Sequence, residues 1–191
     1  VSWTALAVAL AVPVFAAAKS ELLAWRDPIY IIACFAGILG LCLLLVQALL
    51  ISGHLPELTP RRARHIHRWT GGVLVAAVII HVAGLWITSP PDVIDALLFR
   101  SPTPFSDWGV IAMWTVFAVA ILAAMRRRLG FSPTTWRVTH SVMAIVIVTG
   151  TVVHALLIEG MMETVSKGAL CAMVGLATLK VLADLLRRWR R

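Results

Sequence analysis

Two stretches of equal length decide how this chain is read: HRWTGGVLVAAVIIH, residues 67–81, and HSVMAIVIVTGTVVH, residues 140–154. Each begins and ends on histidine, fourteen residues apart, and is apolar between. On an α-helix fourteen residues rise about 21 Å and fall about 40° short of four full turns. Each stretch therefore shows two imidazoles on nearly one face, one toward each side of a bilayer. Polar groups inside a membrane are costly and need partners, so these four histidines are candidate ligands. The two helices are separated by one full crossing and so run in the same direction. As neighbours they would set His67 at the depth of His140 and His81 at the depth of His154. Two such sandwich sites suit two stacked b-type haems. Bis-histidine ligation fills both axial positions of iron, which favours electron transfer over oxygen binding.

Small residues accompany the histidines. One turn toward the membrane centre from each stands Gly71, Ala77, Ala144 or Gly150, where a porphyrin lying against the helix would need an indentation. Any one of them is as readily explained by close packing of membrane helices; the four together favour the haem reading. Leu74 and Ile147 would fill the space between the two levels. Arg68 and Arg137 lie near the inner histidines and have two readings. Arginine binds carboxylates such as haem propionates through paired hydrogen bonds, and it also marks the lipid interface. Trp69 and Trp136 are either haem neighbours or interfacial tryptophans, the commoner role. His54 is expected in a solvated loop. His65 is sixteen residues from His81, about 160° out of register, and is expected to contact a propionate at most.

Hydrophobic residues make up 60% of the 191 positions, so the solvent of this chain is lipid. Six apolar segments approach the ~20 residues of a spanning helix: Trp3–Ala18, Pro28–Ser52, His67–Thr88, Trp108–Met125, Thr139–Ile158 and Gly168–Leu186. The first is short and holds Pro13. A cleaved signal peptide is its rival, but residues 1–10 carry no basic n-region, which favours a retained helix. Lys180 and Asp184, one turn apart in the last segment, are expected to pair near the surface. The expected fold is thus an all-α integral membrane protein, a six-helix bundle forming a single haem domain over 1–191 with no soluble flavin or nicotinamide domain.

The net charge of +8 raises the question of nucleic acid, but its distribution reports topology instead. If six helices alternate, thirteen of the seventeen Lys and Arg fall on one side with two acids, Glu57 and Asp184. Lys19, Arg26, Arg100 and Lys167 share the other side with seven acids. The faces then carry +11 and −3. By the positive-inside rule both termini and the second and fourth loops are cytoplasmic. The longest loop, Ser89–Asp107, faces outward, and Pro90, Pro91, Pro102 and Pro104 mark it as irregular. Cys34, Cys42 and Cys171 lie in apolar segments without a CxxC or CxxCH pattern. They read as small buried helix residues rather than zinc ligands or covalent haem attachments.

The two stretches, His67-Arg68-Trp69-Thr70-Gly71 through His81 and Trp136-Arg137-Val138-Thr139-His140 through His154, resemble the ferric-reductase-like transmembrane domain family. This family includes ferric and cupric reductases, NADPH oxidases and a bacterial haem subunit that feeds a periplasmic methionine sulfoxide reductase. The resemblance spans helices two to six and is tight in spacing, loose in sequence. It implies two b haems between the third and fifth helices and electrons crossing from a cytoplasmic flavin to an outer acceptor. No Gly-x-Gly-x-x-Gly and no phosphate-binding loop is found in the chain. The donor is therefore expected to be a separate flavoprotein carrying FMN or FAD, or a membrane quinol. The acceptor is expected to be a ferric or cupric ion or a partner protein outside the membrane, in a bacterium the inner membrane. The alternatives are a cytochrome b subunit of a quinone-linked dehydrogenase, and a haem-free, histidine-lined metal or proton transporter. The second is disfavoured because the acids lie at helix ends or in loops, with Asp184 near the inner interface.

Overall fold

The computed structural model describes residues 2–53 and 55–189, without the side chains of Arg188 and Trp189; His54, expected in a loop, lies outside the described residues. Among the described residues the chain forms seven α-helices and one 3-10 turn, with no strand. The helices are α1 (Trp3–Ala18), α2 (Pro28–Ser52), α3 (Pro60–Thr88), α4 (Pro90–Leu97), α5 (Pro104–Met125), α6 (Pro133–Leu157) and α7 (Thr164–Trp189). Five of them are long and apolar enough to cross a membrane: α2, α3, α5, α6 and α7.

Proline sets the starts. Helices α2 to α6 each open on proline in the first turn, where its fixed φ suits the helix and its missing N–H costs no hydrogen bond. Asp27, Thr59 and Ser132 accept a backbone N–H as side-chain caps of α2, α3 and α6, each cap contributing about 1 kcal/mol. Gly53 ends α2 at φ 70°, the left-handed conformation that glycine adopts without a Cβ penalty.

Several expected bounds shift here, with α5, α6 and α7 beginning at Pro104, Pro133 and Thr164 rather than Trp108, Thr139 and Gly168. The third apolar segment begins at Pro60 rather than His67, so Arg61, Arg62, Arg64, His65 and Arg68 ride on α3 instead of a preceding loop. The Ser89–Asp107 region is not irregular throughout: Pro90 and Pro91 begin α4, and Pro104 begins α5. Prolines at a first helical turn and prolines in a loop look alike in sequence; the hydrogen bonds that follow tell them apart.

The long helices form a ring. The closest packing joins α2 to α3 and α5 to α6; α7 closes on both α2 and α6, and α5 touches α3. Helix α4 leans on α3 and α5 at one end, and α1 lies outside against α7 and α2. Leu41, Leu44, Leu45, Leu49, Leu74, Ile147, Leu170, Cys171 and Val174 are buried in one core. Ile32, Ile79, Ile80, Trp86, Ile121, Leu176 and Leu179 are exposed. Helices apolar on both inner and outer faces are built for a bilayer, and the protein is a multi-pass membrane protein. Lys180 and Asp184 pair at 2.7 Å, as expected from their spacing.

Candidate ligand pairs inside the helix ring

Helices α3 and α6 face one another across the ring and hardly touch. Their histidines reach into the space between. The His67 and His140 rings have centroids 6.0 Å apart at an interplanar angle of 70°. The His81 and His154 centroids are 6.5 Å apart at 83°. The pairing expected from the shared spacing is therefore the one the fold makes.

The two pairs are finished differently. His81 Nδ1 lies 2.7 Å from the Ala33 carbonyl of α2, and His154 Nδ1 lies 2.8 Å from the Phe105 carbonyl of α5. A carbonyl can only accept, so in each ring Nδ1–H donates and Nε2 keeps its lone pair. The ring of Phe105 also packs edge-on against His154, at 5.8 Å. In the inner pair, by contrast, Nδ1 of both His67 and His140 is buried without a hydrogen bond.

The inner pair is held by other groups. Gln47 of α2 donates from Nε2 to the His67 carbonyl and to Thr70 Oγ1, both at 3.1 Å. Trp136 lies over His140 with ring centroids 5.2 Å apart, tilted by 33°. The Arg126 guanidinium sits 5.7 Å from the Trp136 ring, a cation–π contact. Arg126, Phe131, Pro133, Trp136 and Arg137 line a cavity of about 230 Å³ at this end of α6. Arg68 is exposed on α3, as is His65, whose Nε2 accepts from Trp69 Nε1 at 3.0 Å.

The small residues show a further use. A Cβ on Gly150 would come within 2.9 Å of the Trp108 carbonyl and 3.1 Å of Ala112. One on Gly71 would stand 3.3 Å from the Gln47 amide. Both glycines thus admit a neighbouring helix. Ala77 is buried and Ala144 half-buried. Gln47, Gly37, Gly109 and Arg126 contribute to the site without having been singled out in the sequence. Gln47 had a legible signal: it is an amide set among leucines in α2, and such a group needs a partner in lipid.

These residues fit an iron porphyrin held by axial imidazoles. Two metal–imidazole bonds of about 2 Å each, plus the ring radii, place the centroids about 6 Å apart, close to both observed separations. The gap between α3 and α6 and the two fixed tautomers agree with the same ligand set. Among the described residues no three His, Cys, Asp or Glu side chains gather. The histidines come in twos, whereas a bare zinc site takes three or four protein ligands.

A family model described as the ferric reductase-like transmembrane component matches residues 36–151, a span holding His67, His81 and His140 and ending just before His154. No curated protein and no solved structure gave a match in comparison. With well over half its length matched, and with its family-bearing helices lining one ring, the chain belongs to the ferric reductase-like transmembrane component family.

Proposed function

We propose that the chain is a transmembrane electron-transfer subunit, with His67 and His140 holding one b haem and His81 and His154 a second. The observation that carries this reading is the pair of facing imidazoles at each of two depths, 6.0 and 6.5 Å between centroids. Bound iron supplies the one-electron redox chemistry. The protein supplies position. Fourteen residues of helix separate the two levels by about 21 Å, with the buried Leu74 and Ile147 between them. Hydrogen bonds from Nδ1 orient the outer imidazoles and leave Nε2 free to ligate.

The bundle is read as six crossings, α1 included, with both termini and the arginine-rich loops in the cytoplasm. Arg61, Arg62 and Arg64 in the first turns of α3 and Arg126, Arg127 and Arg128 just after α5 lie beyond the inner pair at the same end. They present a cationic surface to an acidic flavoprotein donor carrying FMN or FAD. The cavity beside Trp136 supports donor access at that end. Arg68 and Arg137, both exposed near the inner histidines, would bind carboxylates at the inner edge. Asp92, Asp95, Asp107, Glu159 and Glu163 at the opposite end suit a ferric or cupric ion or a basic partner protein as acceptor.

A membrane quinol is a second donor reading. It rests on an apolar cavity of about 370 Å³ between α1, α2 and α7, edged by Ser52 and Lys180. Haem content per chain and a reduced-minus-oxidised spectrum of detergent-purified protein test the central proposal. Two low-spin b haems are expected. Protein that stays haem-free after expression with ample haem supply overturns it.

A further inference from the structure

Glycine stands behind each outer histidine, and its position follows a rule. The carbonyl that takes the His81 proton belongs to Ala33, and Gly37 is four residues further along α2. The carbonyl that takes the His154 proton belongs to Phe105, and Gly109 is four residues further along α5. In a helix a side chain leans toward the N-terminus and covers the preceding turn. A side chain at residue i+4 therefore shields the carbonyl of residue i. Where that residue is glycine, the carbonyl keeps its helical hydrogen bond and is open to a second donor from outside.

The fit is tight at both places. A Cβ on Gly37 would lie 3.0 Å from His81 Nδ1, and one on Gly109 would lie 2.6 Å from His154 Nδ1. Either ring would have to withdraw from its carbonyl. The inner pair provides a comparison within the same molecule. The outer register carried fourteen residues inward falls on Gln47 and Ile51 in α2, and on Val119 and Ala123 in α5. Both i+4 residues there carry a Cβ. The His67 ring approaches the Gln47 backbone, but neither His67 Nδ1 nor His140 Nδ1 makes a hydrogen bond of ordinary geometry.

We infer that Gly37 and Gly109 are positioning residues that open the Ala33 and Phe105 carbonyls to His81 and His154, fixing and tuning the outer ligand pair alone. The inference rests on the proposed haem ligation. A carbonyl bonded to Nδ1–H makes the imidazole a stronger donor through Nε2. Stronger donation stabilises ferric over ferrous iron and lowers the reduction potential, second-shell hydrogen bonding being one of the levers a protein holds over haem. The two sites of this chain thus differ in a way that the four histidines by themselves do not show.

The test is a redox titration of purified protein with optical and electron-paramagnetic-resonance detection, comparing wild type with Gly37→Ala, Gly109→Ala and the control Gly72→Ala. A Cβ on Gly72 meets nothing within 4 Å. In each cradle variant one haem should rise in potential while the other keeps its own. The expected rise corresponds to roughly a tenfold change in oxidised-to-reduced ratio at a fixed poise, ~59 mV for one electron. Gly109→Ala should shift further than Gly37→Ala, and Gly72→Ala should change neither haem.

Both haems unchanged in Gly109→Ala, or both shifted together, overturns the inference while leaving the proposed ligation standing. Wild type without haem overturns both. Where a variant does not fold, isotope-edited infrared spectroscopy on wild type labelled with [15N]histidine decides. Among the ring bands that respond to haem reduction, two should show a hydrogen-bonded Nδ1–H and two should not. Four alike overturns the inference.

Discussion

The inner and outer histidine pairs have the same residue type, the same spacing and nearly the same centroid separation, yet they are built differently. The outer pair is fixed from behind by backbone: two carbonyls, each opened by a glycine. The inner pair is fixed from the side. Gln47 bonds the main chain at His67, and Trp136 covers His140. Backbone support is rigid because a helix carbonyl cannot swing away. Side-chain support leaves the rings freer, with two buried Nδ1 atoms unbonded. The outer pair lies at the end where α4 leans on α3 and α5.

The largest expected effect would break the comparison outright. His81→Ala and His154→Ala should each remove the same haem, and His67→Ala and His140→Ala should each remove the other, read as a halved haemochrome per chain. Four distinct spectral losses would show that the pairs are not shared sites.

Next in size is the seam between α5 and α6, which holds His154 against Phe105. Gly150→Leu forces a side chain against the Trp108 carbonyl and Ala112 and should destabilise the bundle by about 1–3 kcal/mol. Gly72→Leu should stay within about 0.5 kcal/mol. Thermal unfolding in detergent compares them, and equal losses would contradict the packing described.

The inner end can be sharpened with Gln47→Leu. It removes two hydrogen bonds at His67 and Thr70 and should cost about 1–2 kcal/mol. The inner haem spectrum should shift and the outer should not; a shift in the outer haem alone would reverse the assignment.

The smallest effect concerns pH at the outer end, away from both pairs. Glu163 accepts backbone N–H groups from Ser166 and Val165 at 2.7 Å each. These hold its carboxyl below the ordinary carboxylate range. A depressed carboxyl stabilises the fold above its unfolded pKa, and that contribution disappears as pH falls through the lower folded value. Wild type should therefore lose more melting temperature on acidification than Glu163→Gln, with neither haem spectrum affected. Parallel melting curves for the two proteins would remove Glu163 from the account.

Much of this molecule was legible from residues alone. α1 and α2 were bounded correctly, α2 because Asp27-Pro28 and Gly53 are local signals read within one turn. The starts of α3 and α6 were placed too late, since charged and polar first turns, Pro60–Arg64 and Pro133–Arg137, fall outside any apolar window. α4 was missed because Pro90 and Pro91 carry the same signal in a loop and in a first turn. The histidine pairing was legible because both stretches repeat one fixed spacing, and helix geometry converts spacing into depth.

The sequence by itself determined that the chain crosses a membrane, that four histidines lie at two levels on two helices, and which of them share a level. Periodicity along one helix and burial in lipid are properties of a single segment, and each segment carries its own. Only the tertiary structure decided which carbonyl stands behind which ring. Ala33 and His81 are 48 residues apart, and Phe105 and His154 are 49. No local pattern links such partners. The register between two helices is set by how their surfaces interlock, and that register made Gly37 and Gly109 part of a site while leaving Ile51 and Ala123 as ordinary helix positions.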